Sequence, residues 1–265
     1  MYSFNYLKVK SVADAAGLLI KDADARPLAG GQSLVAAMKL RLANPSNVVD
    51  IGSIAELRGI KVEGNAVVIG AMTRHADVAS SAEVKKAIPA LASLAAGIGD
   101  RMVRNMGTMG GSVANNDPAA DYPAGVVALN ATVITNKRKI EADTFFKGMY
   151  ETALDQGELI TAISFPIPKR AAYMKFKNPA SRYAIVGVFV ADFGNAVRVA
   201  VTGASAGVFR VAEMEKALGA KFAPGSVANI KVPDTGLNSD MHAKADYRAH
   251  LITVMAKRAV EKALA

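Results

Sequence analysis

Cysteine is missing from all 265 residues. Without a thiolate the chain cannot ligate an iron–sulfur cluster, build a cysteine-based zinc site or attack as a Cys nucleophile. Nothing in it points to an oxidising compartment either, so the cytoplasm is the expected location. Histidine is scarce: His75, His242 and His250 are the only three, in no H-x-x-x-H spacing, and no metal centre is expected within this chain. Long apolar runs are lacking. The longest, residues 184–191, falls well short of the roughly 18 residues of a membrane span. The start, residues 1–8, has no basic segment followed by an apolar one, so no signal peptide is expected. Two nucleotide signatures are absent as well. Gly97-Ile98-Gly99 continues as Asp100-Arg101-Met102, not as G-x-G-x-x-G, and no glycine loop ends in a Walker lysine.

Basic residues, by contrast, are in excess: 32 against 23 acidic, a formal charge of +9. They are dispersed. The densest cluster, Asn136-Lys137-Arg138-Lys139, lies between an apolar run and Ile140-Glu141 and reads as a hairpin turn. No helix-turn-helix pattern or aromatic RNA-binding motif accompanies it, so nucleic acid is not expected, whereas an anionic ligand or an acidic partner fits.

Two glycine-paired loops carry most of the functional information. One is Ala29-Gly30-Gly31-Gln32-Ser33-Leu34; the other, about 75 residues on, is Asn105-Met106-Gly107-Thr108-Met109-Gly110-Gly111-Ser112. Glycine permits positive φ and lets a ligand approach the main chain. Successive N–H groups in such turns form an anion-holding concavity. A pair of these loops suits a diphosphate gripped from two sides, hence a dinucleotide.

The remaining pattern mixes strands and helices. Ser11-Val12-Ala13-Asp14 resembles a capping box opening a helix through residue 20. Residues 26–29 read as a strand entering the first loop, 33–42 as a helix and 47–51 as a strand. Residues 59–62 and 66–70 flank a hairpin turn. Helices are expected over 74–81, 83–96 and 121–129, with a glycine-rich segment at 97–112, and 131–134 as a strand. Two prolines, Pro166 and Pro168, mark a boundary between parts 1–168 and 169–265. The second part reads as a three-stranded sheet with helices, including strands at 184–192 and 196–203 and helices at 211–218 and 244–264. In residues 113–123 two carboxylates and two amides follow the second loop. Asp117 reads as an Asx-Pro turn, and Asp121 either caps the next helix or contacts a ligand. His75 reads as packing at a helix start.

These motifs, together with Ile69-Gly70-Ala71-Met72-Thr73 and Asp117-Pro118-Ala119-Ala120-Asp121-Tyr122-Pro123-Ala124, resemble in order and spacing the FAD-binding medium subunit of molybdenum hydroxylases, the xanthine dehydrogenase and aerobic carbon monoxide dehydrogenase relatives. The resemblance covers essentially the whole chain. It implies an α+β fold: a two-lobed FAD-binding domain of the vanillyl-alcohol-oxidase (PCMH) type, residues 1–168, and a small C-terminal α+β domain, residues 169–265. It implies FAD, its pyrophosphate held by Ala29, Gly30, Gly31, Gln32, Ser33 and Leu34 from the first loop and by Thr108, Gly110, Gly111 and Ser112 from the second. Asn115 and Asp121 follow, Asp121 toward the adenosine or ribose. Ile160 packs near the cofactor, Lys175 aligns with a lysine near the flavin, and Tyr183 flanks the isoalloxazine ring. Read without the family, Lys175 is an exposed strand position alternating with Tyr173 and Lys177, and Tyr183 a core aromatic.

The implied partners are a large molybdopterin subunit and a small [2Fe–2S] subunit, in a dimer of heterotrimers, with NAD or a quinone as external electron acceptor. Membrane association is expected only through such a complex. No residue of this chain is expected to be catalytic toward substrate. Gln32 stands where relatives often carry His or Asn, and residues 178–185 differ from the carbon monoxide dehydrogenase segment. The substrate class stays open among an N-heterocycle, an aldehyde and another small carbon compound. A stand-alone FAD oxidoreductase of the same fold and a non-catalytic nucleotide-binding module are the alternative functions.

Overall fold

Four sheets organise the chain in a computed structural model that describes residues 1–265. The first lobe contains β1 (Asn5–Lys8), α1 (Val12–Lys21), β2 (Arg26–Leu28), α2 (Leu34–Lys39) and β3 (Asn47–Asp50). Its strands lie in the order β1-β3-β2, with both pairings parallel. Parallel neighbours need a crossover, and α2 supplies the one between β2 and β3. Ser11 caps α1, its hydroxyl accepting from the Asp14 N–H at 3.1 Å. Buried Ala15, Leu19, Val49, Ile51 and Leu57 form a small core beneath this sheet.

The second lobe begins with the hairpin β4 (Ile60–Glu63) and β5 (Ala66–Gly70). Six helices follow: α3 (His75–Ser80), α4 (Ala82–Ala87), α5 (Pro89–Ala96), α6 (Arg101–Met106), α7 (Met109–Asn115) and α8 (Tyr122–Ala128). Then come β6 (Thr132–Thr135), β7 (Lys139–Glu141), α9 (Ala142–Phe145), β8 (Phe146–Gly148), β9 (Glu151–Thr152) and β10 (Ile160–Pro166). The lobe's main sheet is antiparallel in the order β4-β5-β10-β6-β7, and β8 and β9 pair separately. The basic turn at residues 136–138 joins β6 to β7, and the carbonyl of Arg138 accepts from the Thr135 N–H.

Two expectations for this lobe are corrected. The helix expected over 83–96 is two helices, because Pro89 starts α5 and holds Ile88 out of the helical region, at φ −139° and ψ 71°. The glycine-rich stretch 97–112 contains α6 and the start of α7. Asp100 caps α6 by accepting from the Val103 N–H at 2.9 Å, and Thr108 caps α7 by accepting from Gly111. The helix expected over 33–42 is likewise only the six residues of α2.

The remaining elements are β11 (Arg170–Lys177), β12 (Ala184–Asp192), β13 (Val197–Thr202), β14 (Phe209–Arg210), α10 (Ala212–Ala220) and α11 (Ala245–Leu264). The three long strands form the expected sheet, and two-residue β14 adds a short edge in the order β11-β12-β13-β14. All nine residues of β12 are buried. Side chains alternate across a strand, so Val186, Val188 and Val190 pack with Ile252, Met255 and Ala259 of α11. Phe189 and Ala191 face the other way, into the core shared with α5 and α8. The sheet is thus sandwiched between α11 and the second lobe. Arg198 strengthens this seam by donating to the Val127 carbonyl at 2.9 Å and pairing with Asp143.

Candidate functional site

Where the two lobes and the C-terminal sheet meet, a cleft of about 410 Å³ opens. That volume falls in the range of small-molecule and cofactor sites. Its walls include fourteen of the fifteen residues singled out from sequence: Ala29, Gly30, Gly31, Gln32, Ser33, Leu34, Thr108, Gly110, Gly111, Ser112, Asn115, Asp121, Ile160 and Tyr183. Apolar side chains of Ile51, Met72 and Leu159 join Ile160 in the lining.

The first glycine loop connects β2 to α2. Gly31 has φ +71°, a left-handed conformation that turns the chain back on itself. The amide N–H groups of Gly30, Gly31, Gln32, Ser33 and Leu34 donate to no acceptor within the protein. Five consecutive free donors in cleft-lining residues are available to an anionic ligand. Gly30 is required for another reason. A Cβ there would collide with the Met106 carbonyl and come within 2.7 Å of the Gly107 Cα. The two loops therefore touch through glycine.

The second loop does not repeat the first. Met109 N–H donates to the Thr73 carbonyl at 3.0 Å, Gly110 N–H to Ala71 at 2.8 Å and Ser112 N–H to Thr108 at 3.0 Å. Gly111 N–H donates to the Thr108 hydroxyl at 3.2 Å. A Cβ on Gly110 would lie 2.5 Å from that of Ala71. The expectation of twin backbone concavities is thereby corrected. The second loop is locked onto the turn after β5, and what it offers the cleft is side-chain chemistry, from Ser112 and, on the same helix, Asn115.

Asp121 makes no side-chain cap on α8. Its carboxylate is buried and points at Lys175 of β11, whose Nζ lies 2.9 Å from Oδ1 and 3.1 Å from Oδ2. Tyr173, two residues along the same strand, donates its hydroxyl to Oδ1 at 2.5 Å. Burial pushes the Asp121 carboxyl up, and Lys175 and the Tyr173 hydroxyl pull against that rise. Burial beside the same carboxylate also pushes the Tyr173 phenol up.

Lys175 is the fifteenth residue, and it does not line the cleft. Nor is it an exposed strand position: only 8% of its side chain is accessible. Beyond Asp121 it donates to the carbonyls of Gly97 and Arg182, each at 2.9 Å. It thus ties together, from behind, three stretches that form the cleft wall: Ile98 and Gly99, Asp121, and Ser181 to Tyr183. This last stretch is a tight loop between β11 and β12. Asn178 closes it, its side-chain oxygen accepting from Ala180 and Ser181 N–H, and Arg182 turns at φ +64°. Tyr183 remains 47% exposed at the cleft and is no core aromatic. Partial burial, with Asp117 and Asp121 nearby, pushes its phenol up, so the hydroxyl stays protonated.

Asp117 forms the expected turn, accepting from Ala119 N–H at 2.8 Å. His75 opens α3 and is 4% exposed, as a packing residue should be, yet its ring also forms part of the cleft wall. Burial first and Arg104 second push the imidazole down to about 4. Sequence reasoning missed this wall position, along with Arg182 and Ser181. Their loop contacts the cleft only because β11 brings it there.

The chain matches the family profile described as "FAD binding domain in molybdopterin dehydrogenase" over residues 2–168. It is 36% identical to the glyceraldehyde dehydrogenase medium chain of Sulfolobus acidocaldarius, covering 98% of both chains. It is 39% identical to the carbon monoxide dehydrogenase medium chain of Afipia carboxidovorans, covering 99% of this chain and 97% of that one. The solved carbon monoxide dehydrogenase from Hydrogenophaga pseudoflava, in a form lacking the Mo-pyranopterin moiety of the molybdenum cofactor, superposes at TM-score 0.90 with 37% identity, covering 99% and 98% of the two chains. The two-lobed α+β architecture is therefore the PCMH type, and the protein is a flavoprotein component of an oxidoreductase. By profile, sequence and structure, this chain belongs to the FAD-binding medium subunits of the molybdenum hydroxylases.

Proposed function

We propose that this chain holds FAD in the cleft between its glycine loops and passes electrons from the [2Fe–2S] clusters of a small partner to an external acceptor, NAD or a quinone. Substrate oxidation in this reading belongs to a large molybdopterin partner, and the complex is a dimer of heterotrimers in the cytoplasm. The relatives are named for glyceraldehyde and carbon monoxide, so family membership alone leaves the substrate open. The observation that carries the reading is the row of free N–H groups from Gly30 to Leu34, all in residues that line the cleft. A diphosphate supplies the acceptors that such a row needs.

In this reading the chain's residues divide the work. Loop-one amides and the Ser33 hydroxyl would hold the diphosphate, joined across the cleft by the side chains of Thr108, Ser112 and Asn115, while Gly110 and Gly111 line the cleft without a side chain to obstruct it. Ile160 and neighbouring apolar residues exclude water from the ring system. Tyr183, neutral and half-exposed, stands at the mouth and governs what reaches the ring. Asp121 and Lys175 hold that mouth in shape from behind it. The bound flavin would supply the exchange between one-electron and two-electron carriers that no side chain of this protein can perform. The division into residues 1–168 and 169–265 follows the same reading, with the C-terminal part contributing one wall of the cleft.

The test is the visible spectrum of the protein purified from its native source, followed by identification of the released flavin and assay of co-purifying chains for iron and molybdenum. FAD with both metals in partner chains is the expected result. A colourless protein that cannot take up FAD refutes it.

A further inference from the structure

His75 carries two nitrogens in different surroundings. Nδ1 is sealed inside the protein and has no hydrogen-bond partner. The nearest aromatic neighbour, Tyr122, packs at 5.3 Å between ring centroids, and its hydroxyl is a second sealed atom without a partner. The opposite edge of the imidazole lies against Gly107, where a Cβ would come within 2.6 Å of Nε2. Since His75 is among the residues lining the cleft and Nδ1 but not Nε2 is sealed, Nε2 is the nitrogen a ligand can reach.

The surroundings also fix what Nε2 offers. The ring is neutral, because burial and the nearby Arg104 both disfavour the imidazolium. A neutral imidazole has one N–H and one lone pair. Placing the proton on Nδ1 would bury a donor with no acceptor, and orphaned buried N–H groups are rarer than under-used acceptors. The Nε2–H tautomer leaves only a lone pair unused and directs a donor toward the cleft. Gly107 packs against that edge of the ring, where a side chain would press on Nε2, and also touches the first loop at Gly30. The donor therefore stands beside the junction of the two glycine loops, close to the row of free amides.

We propose that His75 is a ligand-binding residue whose Nε2–H donates to an anionic oxygen of the dinucleotide diphosphate, extending the first-loop donor row from beneath the second loop. The inference rests on the assignment of FAD to this cleft. It adds a contact from α3 that neither glycine motif contains.

The experiment compares FAD affinity of the full chain, deflavinated and then titrated with FAD, for the native protein and three variants, with ³¹P resonances of bound FAD as a second readout. His75→Leu removes the donor and should weaken binding roughly 10- to 100-fold, the loss expected for a hydrogen bond to a charged group. His75→Gln keeps an N–H near the Nε2 position and should stay within about threefold of native. His75→Asn, whose amide reaches only the Nδ1 position, should resemble His75→Leu. The ³¹P shifts should move in Leu and Asn and hold in Gln. Native-like affinity and ³¹P shifts in His75→Leu overturn the proposal and return His75 to packing. If His75→Leu fails to fold by circular dichroism, equal affinity of the Gln and Asn variants overturns it, and a Gln advantage supports it. Failure of the native protein to bind FAD would instead refute the cofactor assignment, so the two failures are distinct.

Discussion

Replacing Lys175 by Met keeps the side chain's length and removes its charge. In the native protein the ammonium touches both Asp121 oxygens and the carbonyls of Gly97 and Arg182. In the variant the buried carboxylate keeps only the Tyr173 hydroxyl. Breaking a buried pair from one side costs about 3–5 kcal/mol, because the remaining charge is uncompensated. The signature is a pH dependence. Burial already raises the folded Asp121 pKa above the unfolded value of 3.8, and losing Lys175 raises it further. Over pH values between the unfolded and folded pKa, the folded chain holds a proton that the unfolded chain has lost. Stability then falls as pH rises, by about 1.4 kcal/mol per pH unit.

Urea unfolding of the flavin-free chain, followed by circular dichroism from pH 5 to pH 7, measures this directly. The variant should be 3–5 kcal/mol less stable than native at about pH 7 and regain part of the loss on acidification. Adding Asp121→Asn should flatten the pH slope. A Lys175→Met protein whose stability runs parallel to native across this range, or that loses less than about 1 kcal/mol, would refute the buried-pair account.

The two loops should respond differently to small substitutions. Gly110→Ala drives a Cβ into Ala71 and should cost roughly 1–3 kcal/mol of folding free energy even without flavin. Gly31→Ala, strained at φ +71° by about 1–2 kcal/mol, should fold yet lose FAD, read as flavin per chain after gel filtration; full retention of FAD would remove the loop-one concavity from the site. Tyr183→Ala should retain FAD and change its reduction potential or the rate with an external acceptor, and unchanged values would make Tyr183 a passive wall. Glu158 accepts from Thr135 and Arg138. Although burial raises it, these bonds and the Asp155 N–H hold it down at about 2. Its stabilisation is present above pH 4.5 and lost as pH falls toward 2. Because Arg138 is half-exposed, Glu158→Gln should cost only about 1–2 kcal/mol at neutral pH, and the deficit should vanish in acid urea melts.

The site was legible in sequence wherever a short motif fixes backbone shape. The turn at Gly30-Gly31, the cap at Ser11 and the turn at Asp117 are local physics, and the motifs stand in a fixed order. What escaped depends on distant residues. Lys175 alternates with Tyr173 and Lys177 like a solvent-facing position, and only the arrival of Asp121, 54 residues away, buries it. Strand β10 pairs between β5 and β6, yet it ends in Pro166 and reads as a boundary. Helix α6 hides in a glycine-rich run, although Asp100 ahead of Arg101-Met102-Val103 was an available N-terminal signal. The second loop's glycines looked like ligand cradles because sequence cannot say whether an open face meets a cofactor or Ala71.

The wall held by Lys175 has a consequence for biogenesis. Both glycine loops leave the ribosome long before residues 173–183, so a nascent chain that has reached residue 168 has Asp121 with no counter-ion and a cleft with one side missing. The mouth is completed only when β11 and the following loop dock. On the proposed assignment of FAD to this cleft, flavin loading is a late event coupled to completion of the C-terminal sheet, and a fragment ending at residue 168 carries both loops without the wall that Lys175 holds.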